Sequence, residues 1–131
     1  MPNANQRKIL LADDDLYYRE VVAEYLQGMG YAVIKAQSGP QALKLLLARD
    51  DLHLAILDVF MQGLTGIEVL AQFRKSVDLC ETREIPVIVI TSDFSAETEL
   101  RARMAKADIF LLKPFTKEAL AEIVAQLTHP C

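Results

Sequence analysis

Residues 54–58 read Leu54-Ala55-Ile56-Leu57-Asp58, four apolar side chains running straight into a carboxylate. So short a continuous apolar run reads as a strand covered on both faces, the habit of a parallel sheet. The pattern recurs on either side, at residues 9–12, 31–36, 86–90 and 109–112. Between these runs lie longer segments with helical spacing. The first follows Asp15, whose carboxylate can cap free N–H groups, and ends at Gly30. Its apolar stripe is Tyr18, Val22, Tyr25, Leu26 and Met29. The second follows Ser38-Gly39-Pro40, with the cap at Ser38, and buries Leu43, Leu46 and Leu47. A third starts near Gly66 and turns Ile67, Val69, Leu70 and Phe73 inward. A fourth, from Ser95 to Lys106, has a sparse stripe of Leu100 and Met104. The fifth, residues 116–127, faces Leu120, Ile123, Val124 and Leu127 inward. Residues 77–85 read as a solvated loop.

The order is (βα)5 with short connections. Right-handed crossovers then place helices on both faces of a five-stranded parallel sheet, a doubly wound α/β fold. The 131 residues suit one domain, 1–131, with its core at about 8–128. Net charge is −4 with both signs interspersed, which excludes the clustered basic face that a nucleic acid needs. Cys80 and Cys131 form no ligand or redox pattern and read as incidental thiols. No apolar run is long enough to cross a membrane, and the N-terminal stretch MPNANQRK lacks the apolar centre of a leader. The expectation is a soluble, cytoplasmic domain.

In such sheets ligands bind beyond the carboxyl ends of the strands. There, strand one ends in Asp13-Asp14-Asp15, strand three in Asp58, strand four in Thr91-Ser92 and strand five in Lys113-Pro114-Phe115. Carboxylates gathered within a few ångströms repel one another by about 4 kcal/mol per pair at ~4 Å and an effective dielectric near 20. A divalent cation and Lys113 are the natural counter-charges, and oxygen-only ligands in a half-open site favour Mg²⁺. A carboxylate placed beside two such cations can attack a phosphoryl donor and form an acyl phosphate. Thr91 and Lys113 can each bond a phosphoryl oxygen.

The strand ends and their loops, residues 9–15, 54–66, 86–92 and 113–116, resemble the receiver domains of bacterial two-component response regulators. The resemblance runs from about Lys8 to Leu127 and implies a flavodoxin-like sheet of order 2-1-3-4-5. By that match Asp58 is similar to the phosphoacceptor, Asp13 and Asp14 to the acidic pair, Thr91 to the switch hydroxyl and Lys113 to the family's lysine. It further implies Mg²⁺ bound by Asp14, Asp58 and the backbone carbonyl of Phe60, with Asp13 acting through water. Phe110 stands at the aromatic switch position. The implied function is a phosphorylatable signalling domain rather than an enzyme. Its phosphoryl group would come from a sensor histidine kinase or a histidine phosphotransfer protein. The signal would leave through the fourth helix, fifth strand and fifth helix; a homodimer and the output partner stay open. Departures from the family pattern are Gln62 in place of Pro, Thr65 in place of Asp, and Lys106 in place of a Gly before strand five.

Two rivals belong to other classes. A Mg²⁺-dependent phosphatase of the haloacid dehalogenase type would use the Asp13-x-Asp15 pattern, but after Lys113 only Glu118 and Glu122 could supply its further acidic ligands. An interaction module that had lost phosphorylation would lack a member of the five-residue set, and none is missing. His53 and His129 read as surface residues.

Overall fold

The computed structural model describes residues 6–129; Cys131 and the first five residues of the N-terminal stretch lie outside them. Strands and helices alternate: β1 (Lys8–Ala12), α1 (Leu16–Gly28), β2 (Ala32–Ala36), α2 (Gly39–Ala48), β3 (Leu54–Asp58), α3 (Gly66–Asp78), β4 (Val87–Thr91), α4 (Ala96–Met104), β5 (Ile109–Leu112) and α5 (Lys117–Thr128). The sheet is wholly parallel with order β2-β1-β3-β4-β5.

The alternation of side chains along each strand builds two cores. Leu10, Ala12, Ala55, Leu57, Val87 and Val89 pack on the face that carries Ala42, Leu46, Val69, Leu70 and Phe73 of α2 and α3. Ile9, Leu11, Leu54, Ile56, Ile88 and Ile90 pack on the other face, with Val22 and Leu26 of α1 and Leu120 and Val124 of α5. Each large side chain buried in this way stabilises the fold by roughly 1.5–3 kcal/mol.

Full burial on both faces holds for β1, β3 and β4 beyond Lys8, but not for the edges. Every residue of β5 and most of β2 are half-buried, and Lys35 is exposed, because an edge strand has a neighbour on one side only. Two stripes also differ from expectation. Leu47 is 46% exposed, since α2 packs through Ala42 and Leu46 with Leu43 at the flank. Leu100 and Met104 of α4 are 58% and 73% exposed; the helix turns the small Ala102 inward instead. In the stretch read as a solvated loop, α3 runs on to Asp78, and Ile85 is buried under Arg74, whose Nη1 donates to its carbonyl at 2.9 Å.

The caps follow the expected chemistry. Asp15, Ser38, Ser95 and Thr116 each accept a backbone N–H from the first turn of their helix. Thr65 closes a full capping box with Glu68 at the start of α3, so the departure at this position still begins the helix cleanly. Gln62 lies in a loop clamped by α2: its carbonyl accepts the Gly39 N–H at 3.0 Å. Gly39 allows this approach, because a Cβ there would stand 2.1 Å from the Leu64 carbonyl oxygen.

Candidate functional site

Register decides which side chains meet. Ala12 pairs with Leu57, so the chain leaves β1 at Asp13 beside Asp58 at the end of β3. Asp58 pairs with Ile90, and Thr91 pairs with Leu112, which puts Thr91 and Lys113 at the same edge. The Lys113 N–H donates to the Thr91 carbonyl at 2.8 Å, and the peptide bond that follows, Lys113–Pro114, is cis.

At this edge the Lys113 ammonium donates to Asp13 Oδ2 at 2.9 Å and to Asp58 Oδ2 at 3.2 Å. Asp13 and Asp58 are buried, while Asp14 is exposed at the mouth. One carboxylate oxygen from each of the three lies within 4.8 Å of the others. Asp15 is not part of this set: its carboxylate caps α1 and its N–H donates to Asp13 Oδ1 at 3.0 Å. Arg19, hidden among the apolar stripe of α1, donates from Nη1 to the Asp13 carbonyl at 2.6 Å and so fixes the acidic turn from beneath. Neither Arg19 nor Tyr18 has a signal of site membership in the sequence; both lie on a helix face that reads as core.

Charge at this edge is unbalanced. Burial, followed by the charge of Asp13 and a hydrogen bond between the two carboxyls, raises Asp58 to about 7, and Lys113 opposes the rise without cancelling it. For Lys113, burial disfavours the ammonium, yet its hydrogen bond to Asp13 and the charges of Asp58 and Asp13 carry its pKa above the ordinary lysine value. One ammonium therefore faces three carboxyl groups. Two buried oxygen donors, one exposed, and no nitrogen or sulfur donor suit a hard divalent cation with part of its water shell retained. The cluster could hold a metal.

Thr91 is fully buried, and its hydroxyl accepts the Asp93 N–H at 3.1 Å. Asp93 in turn accepts from the Ser95 and Thr98 hydroxyls, which connects Thr91 to the first turn of α4. Phe60 sits in the loop after β3, next to Val59, whose N–H donates to the Ile90 carbonyl and whose carbonyl accepts from the Gly66 N–H. The Phe60 ring is 55% exposed. Phe110 in β5 is half-buried, packed against the core layer that contains Val87, Val89 and Ala102. Glu118 and Glu122 are exposed on α5, and the His53 Nδ1 accepts the Lys8 N–H at the opposite end of the sheet.

The family described as the response regulator receiver domain matches residues 9–125. The chain belongs to that family. Response regulator MprA of Mycolicibacterium vanbaalenii is 38% identical over 120 residues, covering 92% of this chain and 48% of its own length. The chain thus spans about half the length of the curated relatives it matches. The receiver domain of the Francisella response regulator 1452 superposes with a TM-score of 0.84 at 27% identity, covering 94% of this chain and 97% of that one. A response regulator from Burkholderia pseudomallei, solved with a phosphorylated aspartic acid, a calcium ion and citrate, gives 0.78 at 26% identity, over 95% and 68% of the two chains. The receiver fold and its strand order are therefore those of this chain. Among the described residues no helix is long and apolar enough to cross a membrane.

Proposed function

We propose that this receiver domain accepts a phosphoryl group on Asp58, from a histidine kinase or a histidine phosphotransfer protein, in the presence of Mg²⁺. The observation that carries the reading is the Lys113 ammonium shared between Asp13 and Asp58, with Asp14 completing a three-carboxylate cluster. The relative from Burkholderia, with its phosphorylated aspartic acid and bound cation, supports it.

An Asp58 oxygen attacks phosphorus, the bond from phosphorus to the donor nitrogen breaks, and the donor imidazole keeps that electron pair. Asp13, Asp14, Asp58 and the Phe60 carbonyl would hold Mg²⁺. Bound there, the ion would supply positive charge for the phosphoryl oxygens and keep Asp58 ionised at neutral pH. Lys113 sits where it can turn from the carboxylates to a phosphoryl oxygen as charge builds on it. The low exposure of Asp58 limits water at the acyl phosphate. Thr91 then turns to donate its hydroxyl proton to a phosphoryl oxygen and gives up the Asp93 N–H that it accepts. That frees the turn leading into α4, and Phe110 repacks behind β4. The signal leaves through the face of α4, β5 and α5.

Intact-mass measurement after treatment with a small acyl phosphate tests this. One phosphoryl addition should appear with Mg²⁺, vanish on chelation and be absent from Asp58→Asn. An addition that persists in Asp58→Asn would exclude the reading.

A further inference from the structure

Lys113 is held from three sides. Two are the carboxylates of Asp13 and Asp58, at 2.9 and 3.2 Å; the third is the ring of Tyr18, whose centroid lies 4.1 Å from Nζ. An aromatic face attracts a cation through its quadrupole, more strongly where water is excluded, and the Lys113 side chain is only 13% exposed. The ring is itself fixed. Phe115 packs against it edge-on, with centroids 5.7 Å apart and planes at 80°, and the first turn of α1 is anchored by the Asp15 cap. Leu16 and Tyr17 beside it point to solvent, so Tyr18 is the first side chain that α1 turns toward the lysine.

We propose that Tyr18 is a positioning residue for phosphoryl transfer, holding the Lys113 ammonium against the carboxylate pair while leaving it free to turn toward an incoming phosphoryl oxygen. The proposal rests on the reading of Asp58 as phosphoacceptor. A third carboxylate in the same place would bind the ammonium by a directed hydrogen bond that transfer would have to break. A π face has no such bond: the ammonium can shift across it and keep most of the attraction. Without the ring, a flexible lysine stem would let the ammonium sample water beside Asp14, and fewer encounters would find it placed.

The test compares Tyr18→Phe, which keeps the face, with Tyr18→Leu, which removes it. Uptake from a small acyl phosphate with Mg²⁺, followed by intact mass, should be within about twofold of wild type in Tyr18→Phe and about five- to tenfold slower in Tyr18→Leu. NMR of the Lys113 ε-methylene protons, recorded with no donor present, supplies a reading that loose packing alone would not give. They should be shifted upfield by the ring in the wild type and Tyr18→Phe, and return to the ordinary lysine position in Tyr18→Leu. Tyr18→Met, which refills the space without a π face, should repeat the Leu result should Leu loosen the helix. Wild-type rates in Leu and Met, or a Phe variant as slow as Leu, would overturn the proposal. If the wild type itself takes up no phosphoryl group, the phosphoacceptor reading fails, and the ε-proton shift still decides whether Tyr18 seats the lysine.

Discussion

Replacing Asp58 by Asn should stabilise the metal-free protein, and the gain should grow with pH. A free aspartate titrates near 3.9, whereas burial and then the charge of Asp13 raise Asp58 to about 7 in the fold. Between those values the folded state binds a proton that the unfolded chain does not. Stability due to this group is thus full below about pH 4 and is lost as pH rises to about 7, above which the ionised carboxylate is a constant burden. Three units at ~1.36 kcal/mol each set an upper bound of about 4 kcal/mol. Asn carries no charge at any pH, and relaxation of Asp13 and Lys113 about it brings the expected gain at pH 8 to about 2–3 kcal/mol. Urea unfolding of wild type and Asp58→Asn should give nearly equal stabilities at pH 4 and a gap of that size at pH 8, with equal m-values. Millimolar Mg²⁺ at pH 8 should narrow the gap by stabilising the wild type. A gap that does not change between pH 4 and 8, or a variant less stable at pH 8, would refute the charge argument.

Lys106 stands at φ 70°, a left-handed conformation that costs a side chain about 1 kcal/mol, so Lys106→Gly should raise stability by about 0.5–1 kcal/mol in thermal or urea unfolding. Gly66 meets the backbone of Asp58 so closely that an added Cβ would stand 2.2 Å from the Asp58 carbonyl oxygen. Gly66→Ala should therefore cost about 2–3 kcal/mol by urea unfolding, as overpacking does, and displace Asp58 enough to slow phosphoryl uptake. In Thr91→Ala, NMR shifts induced by beryllofluoride with Mg²⁺ should remain at Asp58 but fail to reach Phe110 and α4, since the hydroxyl that holds the Asp93 N–H is gone.

The central strands are legible in the sequence because burial on both faces leaves a run with no polar interruption, and the carboxyl-end residues follow directly from where each run stops. Asp13, Asp58, Thr91 and Lys113 are found that way, and the register brings them to one edge. Leu100 and Met104 mislead for the opposite reason. The inward residue of α4 is Ala102, and a small residue at the contact gives the periodicity nothing to show. Tyr18 is visible only as one more apolar position in α1. Helical spacing reports which face is inward, but not that the lysine following β5 will lie on that face. Arg74 is hidden in the same way, a charge on the inward side of α3 that no local pattern explains.

Arg74 also explains why the two ends of the sheet behave differently. At the amino end its guanidinium donates to the carbonyls of Ile85 and Lys106 and to the Asp108 carboxylate, and that carboxylate accepts the Val87 N–H at 2.7 Å. The guanidinium is fully engaged there, with the exposed Glu84 carboxylate a further 3.9 Å away, and its bonds tie α3 to the starts of β4 and β5. A buried guanidinium satisfied in this way, by two carbonyls and by a carboxylate at the surface, leaves no reason to rearrange. At the carboxyl end of the same strands, one ammonium is set against three carboxyl groups, and burial, followed by the charge of Asp13, leaves Asp58 with a raised pKa. β4 and β5 are thus clamped at their start and lead at their finish into the unbalanced cluster. A change of charge at Asp58 can be met at Thr91 and the turn into α4, while the far end of the sheet holds its register. α4 is suited to respond, because Ala102 is its one buried residue and its Glu97–Arg101 and Glu99–Arg103 pairs are local and solvent-facing.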